Sequence, residues 1–174
     1  RVWIKPGTFM MGSRTDEPGR GPNETQHPVT LTKGFWMGLH EVTQAEYLAV
    51  TGVNPSFFQS PVDTNRPVEN VSWADAVAYC ASLTVTERAA GRIPNHWEYR
   101  LPTEAEWEKT SRGAMYDPYR RYPWGDQIDG SMANYQGSGD PFEAAAEPHT
   151  TPVGYYDGGQ VPAGVDMANG YGLY

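Results

Sequence analysis

The chain has 174 residues, enough for one domain with a sizeable core, and carries 13 Lys and Arg against 21 Asp and Glu, a net charge of −8. That sign repels phosphate backbones and argues against nucleic acid as a partner, since the densest basic group, Arg112 with Arg120 and Arg121, reads as a solvated loop. Only 39% of the residues are hydrophobic and no apolar run approaches the roughly 20 residues of a membrane span, so the 6 Trp and 11 Tyr have to supply much of the core.

In chain order, Val2-Trp3-Ile4 and Thr8–Gly12 read as the two arms of a hairpin whose turn is Lys5-Pro6-Gly7. Ser13 to Gln26 is polar, holds two prolines and two glycines, and is a surface loop. Val29–Thr32 alternates apolar and polar residues as a half-buried strand does, and Phe35–Leu39 continues it past Gly34.

Three helix starts follow, each specified by a reciprocal cap. Thr43 and Glu46 form the first, with Val42 and Tyr47 at the flanking apolar positions; Ser72 and Asp75 form the second; Thr103 and Glu106 form the third. The first helix runs from about Gln44 to Thr51 and stops at Gly52, which suits a left-handed position. The second runs from Trp73 to about Thr84 and places Trp73, Ala76, Val77, Cys80 and Leu83 on one apolar face. Glu87 to Glu98 then forms a charged excursion.

The third helix is the best specified stretch of the chain. Arg100 and Leu101 are held extended by Pro102, the helix begins at Glu104 and lasts to about Ser111, and Gly113 ends it. Glu104, Glu106 and Glu108 suit the cap and the positive end of the helix dipole, and Trp107, the one large apolar group of that turn, is expected to face the core. Tyr122–Asp126 is a tight aromatic turn. After Ser131 the chain is loop-like, with Thr151–Gly154 the best strand candidate. Caps of this quality on short helices fix orientations rather than build a bundle, which describes an irregular α+β domain.

Few residues offer chemistry. His27, His40, His96 and His149 stand far apart, and none has a partner at zinc-site spacing. Cys80, the only cysteine, excludes an internal disulfide, leaves the redox compartment open, and reads as a small buried hydrophobe rather than a nucleophile. Ala133–Gly137, with Asp140, Glu143 and Glu147 after it, gathers hard oxygen donors of the kind calcium takes, a spacing that an ordinary acidic loop shares.

These pieces carry a resemblance. Pro6–Ser13, Glu41–Gln44, Asn54–Ser56, Pro67–Trp73, Asp75–Cys80, Arg100–Glu108, Pro123–Gly125 and Asn169–Tyr174 together resemble the formylglycine-generating enzymes, or sulfatase-modifying factors, over nearly the whole chain. The resemblance implies an irregular fold of the C-type-lectin-like kind, with short strands, two main helices and long loops. It implies an oxidoreductase that uses copper and oxygen to turn a cysteine of a target protein into formylglycine. The copper-binding cysteines of such enzymes lie in a part that would follow Tyr174, so no catalytic residue carries over, and residues 1–174 are expected to be one incomplete domain that needs its remainder to cover Trp73, Val77 and Leu83. Non-catalytic ligand-binding or display modules on the same scaffold, the variable proteins of retroelements among them, are the other class, and in either case the partner is a protein or peptide substrate or ligand. The family's calcium site falls on Asn134, the carbonyl of Tyr135 and, as the first choice of acid, Asp140. Cys80 matches a position that in some members pairs with a later cysteine. Two departures stand out: Ala81 to Tyr99 lengthen the path to the third helix, and Ser111 stands where some members have a second cysteine.

Overall fold

The aromatic and β-branched residues at the start of the chain form two short antiparallel pairs. The computed structural model describes residues 1–59, 63–113, 119–143 and 149–174. In it, β1 (Val2–Ile4) pairs with β4 (Phe35–Met37), and β2 (Gly7–Met11) pairs with β3 (His27–Leu31). The expected hairpin between the first two strands therefore does not form. The link Lys5-Pro6 carries the chain onward, and the reversal is made by the long polar loop before β3.

A proline and a following glycine turn a chain only where two arms of matched register flank them. Here the carbonyls of Lys5 and Gly7 are used elsewhere: the buried Lys109 ammonium donates to both, at 2.9 and 3.2 Å. Burial lowers the pKa of that ammonium. Opposite the break, Gly34 leaves room for the Trp3 ring, since a Cβ there would lie 2.3 Å from it. Trp3 faces Trp36 across the ladder with ring centroids 5.4 Å apart.

The chain divides into two compact units, one made of Arg1–His40, Pro102–Asp140 and Tyr156–Tyr174, the other of Glu41–Leu101 and Pro141–Tyr155. The first holds the four strands and α3 (Glu104–Ser111), and its buried apolar side chains are Ile4, Phe9, Met167 and Leu173. The second holds α1 (Gln44–Thr51) and α2 (Trp73–Ala89) around Tyr47 and Tyr79, whose rings stack at 5.2 Å and 9°.

All three reciprocal caps form. The Thr103 hydroxyl accepts from the Glu106 N–H at 3.2 Å while the Glu106 carboxylate accepts the Thr103 N–H at 2.8 Å. The Ser72 hydroxyl, bonded to Asp75 at 2.6 Å, holds that carboxyl below its usual range. Gly52 ends α1 at φ 78°, its N–H donating to the Leu48 carbonyl at 2.8 Å.

The faces of the helices differ from expectation. On α2 the inward stripe is Ala76, Tyr79, Cys80, Leu83, Thr84 and Glu87, while Trp73 is 75% exposed and Val77 also lies outward. The helix runs to Ala89 because its buried polar residues find partners: Thr84 accepts the Tyr99 N–H at 2.9 Å, and Glu87 pairs with Arg92 at 2.5 Å. On α3 the buried residues are Glu106, Lys109 and Thr110, and Trp107 is 61% exposed rather than in the core. Thr151–Gly154 is not a strand; Val153 gives one bond to the Asn65 carbonyl at 3.0 Å and the chain then turns.

Short strands, three helices among the described residues and long loops make an α+β protein of the irregular kind that the resemblance implies.

Candidate functional site

In the unit that contains the strands, the outward face of α3 lines a cleft of about 460 Å³. Glu108 anchors it. Its Oε1 accepts the Gly12 N–H at 2.8 Å and two bonds from Arg112, at 2.9 Å from Nε and 2.7 Å from Nη2. Arg112 also donates to the Gly12 carbonyl at 3.0 Å and lies over the Tyr119 ring at 4.8 Å, and the Tyr119 hydroxyl donates to Glu17. Gly12 also lets the backbone at Glu24 and Thr25 come close: at φ 92° a Cβ would stand 2.8 Å from the Thr25 carbonyl oxygen.

The other wall is the aromatic turn, which forms as expected. Tyr122 and Gly125 exchange two backbone bonds, at 2.8 and 3.2 Å, and the Tyr122 and Trp124 rings stack at 5.8 Å and 10°. Trp124 is steadied by a bond from Nε1 to the Gln127 carbonyl at 3.0 Å. Burial opposes the Arg112 charge, but the bonds with Glu108 and Tyr119 outweigh it and raise its pKa. Burial first, and then the bond to Glu17, pushes the Tyr119 hydroxyl up, so it stays a donor.

The arrangement is suited to binding. Glu108 and Arg112 answer each other, no group among the described residues of the cleft is poised as a base or nucleophile, and the open surface is the exposed Trp107 ring with the Tyr122–Trp124 stack opposite. Arg112 is therefore not part of a solvated loop; its side chain is 18% exposed. The cleft has no linear motif, because residues near 12–24, 107–112 and 119–124 build it together. The hint in the sequence was the surplus of aromatics for which a small core has no place.

The residues read as calcium ligands lie in the loop after the aromatic turn. The Asp129 carbonyl accepts from Met132 and Ala133 at 3.0 and 3.2 Å, the Tyr135 carbonyl accepts the Ser138 N–H at 2.9 Å, and the Ser138 hydroxyl donates to Asp140 at 2.5 Å. Tyr135 and Asp140 thus both bond Ser138, and Asn134 is half-buried. Asp140 is fully buried, and Gly130 lets the loop close on itself, since a Cβ there would be 2.2 Å from the Ser138 carbonyl oxygen. A carboxylate and loop carbonyls are oxygen donors of the class that a hard cation takes. Among the described residues no group of three or more His, Cys, Asp or Glu gathers as a metal site; Glu147 lies outside them.

Copper does not fit the side chains present. Cys80 is the only cysteine, sits half-buried on α2 without a disulfide, and burial pushes its thiol pKa up, away from the thiolate that binds metal. Among the described residues no helix is long and apolar enough to cross a membrane.

Comparison with known proteins agrees with this architecture. The sulfatase-modifying factor enzyme 1-like domain matches residues 1–174. The chain is 36% identical to the formylglycine-generating enzyme of Mus musculus over 229 residues, covering 99% of this chain and 54% of that protein. It is 34% identical to the inactive C-alpha-formylglycine-generating enzyme 2 of Bos taurus over 110 residues, covering 62% of this chain and 28% of that protein. The structure of PvdO from Pseudomonas aeruginosa superposes with a TM-score of 0.64 at 26% identity, covering 99% of this chain and 65% of that one. The chain therefore spans about half of the mouse enzyme, and it belongs to the sulfatase-modifying factor family.

Proposed function

We propose that the protein carrying this chain oxidises a cysteine of a target protein to formylglycine, with copper and oxygen, and that the present segment supplies the scaffold and a surface for the target polypeptide rather than the copper ligands. The observation that carries this reading is the likeness to the mouse formylglycine-generating enzyme across 99% of the chain. The cleft beside α3 supports the binding role, since it offers aromatic faces and bonded charges instead of a reactive group. The test is to incubate the full-length protein with copper, air and a cysteine-containing sulfatase peptide, and to follow the peptide by mass spectrometry and by hydrazide capture of an aldehyde. Copper-dependent aldehyde is the expected result. Binding of the peptide without aldehyde would replace this reading with the second one, a non-catalytic binding module, which the likeness to the inactive bovine protein favours.

Calcium would be held by the Asn134 amide, the Tyr135 carbonyl and the Asp140 carboxylate, where its role is to stiffen the loop. A ligand that binds only the folded state adds about 2.7 kcal/mol at 100 times its dissociation constant. Calcium is therefore expected to raise the Tm of the full-length protein more than magnesium at equal concentration, and Asn134→Ala to remove that preference. An equal response to both ions would reduce the effect to charge screening of an acidic loop.

A further inference from the structure

The cleft beside α3 carries positive charge that its own acids do not answer, in a chain whose net charge is −8. Each acid of the cleft is already engaged. Glu108 is taken by Arg112 at 2.7 Å, and Glu17 accepts the Tyr119 hydroxyl. Glu24 accepts the Ser13 hydroxyl at 2.7 Å, a bond that, with the backbone at Gly21 and the charge of Arg20, holds its carboxyl below the usual range.

Arg120 and Arg121 line the same cleft and are left over. Among the described residues the half-buried Arg120 guanidinium makes no hydrogen bond or ion pair; only its carbonyl is used, by Arg112 at 3.4 Å. Arg121 gives one side-chain bond, to the uncharged Pro18 carbonyl at 2.5 Å, and lies over the Tyr122 ring at 5.7 Å. A guanidinium does not deprotonate in a protein, so the two neighbours present a fixed positive charge. The turn that carries them is rigid, since the Arg121 N–H is held by Asp126 at 2.9 Å and Tyr122 and Gly125 exchange backbone bonds.

Beside this charge lie the exposed Trp107 ring and the Tyr122–Trp124 stack, which can cover an apolar side chain while a carboxylate meets the arginines. A cleft of about 460 Å³ takes a short extended segment, not the roughly 20–30 residues that a folded protein face contributes. We propose that it binds a polypeptide segment in which an aromatic residue adjoins Asp or Glu, with the carboxylate held by Arg120 and Arg121 and the ring by the cleft's aromatic side chains. This selectivity rests on the binding role proposed above and adds the kind of sequence that the cleft takes.

The test is calorimetric titration of the full-length protein, with a copper chelator present, using the capped cysteine-free peptide Gly-Phe-Glu-Asp-Phe-Gly and its counterpart with Gln and Asn in place of the acids. The acidic peptide is expected to bind about tenfold more tightly, the lower end for hydrogen bonds to a charged group, and to lose that margin as salt rises. Arg120→Gln, which removes no side-chain bond of the fold, should cut the margin to about threefold, and adding Arg121→Gln should abolish it. Trp124→Ala should weaken both peptides alike. Equal affinity of the wild type for the two peptides overturns the inference, and so does a margin that survives the double Gln variant with its circular dichroism unchanged. Displacement of the acidic peptide by an equimolar oligothymidylate also overturns it, because the cleft would then be a general anion surface. Neither copper nor cysteine takes part, so the margin is read whether or not the aldehyde forms, and its absence leaves the aldehyde assay untouched.

Discussion

Tyr79→Ala is expected to cost about 3–5 kcal/mol, the range for removing a large aromatic side chain from a core, and to lower Tm by roughly 6–20 °C. Tyr79 and Tyr47 are the buried aromatic pair between α2 and α1, stacked nearly parallel, and they are the large apolar side chains that this unit buries most completely. Alanine would leave a cavity against the remaining ring and forfeit the stacking as well. The comparison that gives the experiment its force is Trp73→Ala on the same helix. That ring is 75% exposed, so its loss should stay within about 0.5 kcal/mol, as surface substitutions do. Denaturant unfolding of the two variants side by side decides the matter. A Trp73→Ala cost equal to that of Tyr79→Ala would mean that the inward face of α2 has been misassigned.

Glu108→Ala should be a damaging change in the other unit, at about 2–4 kcal/mol. Removing one partner of a buried ion pair costs about 3–5 kcal/mol because the other charge is stranded, and the value is reduced here because the Glu108 and Arg112 side chains are 19% and 18% exposed. The same substitution also strands the Gly12 N–H, so the cleft loses its anchor to the loop after β2. Glu108→Gln should cost less, since an amide oxygen can still accept from Gly12. A double-mutant cycle with Arg112→Ala isolates the pair: the double variant should be less unstable than the sum of the singles. Strict additivity would show that the two side chains do not support each other. Trp107→Ala belongs in the same series as a change that should spare stability, because its ring projects into the cleft rather than the core.

The features of the fold that could be read beforehand are those that close within a few residues. Thr43 with Glu46, Ser72 with Asp75 and Thr103 with Glu106 each complete a bonding pattern inside one helical turn, and so does the turn from Tyr122 to Gly125. The misread features depend on distant partners. Helical spacing places Trp107 and Trp73 inside, but on α3 it is Lys109 that is drawn inward, by the carbonyls of Lys5 and Gly7, about a hundred residues earlier in the chain. Thr84 and Glu87 could be buried because Tyr99 and Arg92 come back to meet them. The Glu108–Gly12 contact that organises the cleft spans 96 positions and has no local trace. Asn134, Tyr135 and Asp140 follow from the family resemblance alone, and what the fold adds is the burial of Asp140 and its link to Tyr135 through Ser138.

The bond from Lys109 to the Gly7 carbonyl closes a span of 102 residues, and that span has a duration. At a synthesis rate of about 5–20 residues per second, the ribosome makes Gly7 roughly 5–20 s before it makes Lys109. Through that interval the paired strands at the start of the chain wait with the Lys5 and Gly7 carbonyls in water, while residues 41–101 emerge and can already stack Tyr47 on Tyr79. The strands that carry Lys5 and Gly7 are thus made well before the residue that secures them, which makes this nascent ribbon a place where a chaperone or a protease would act.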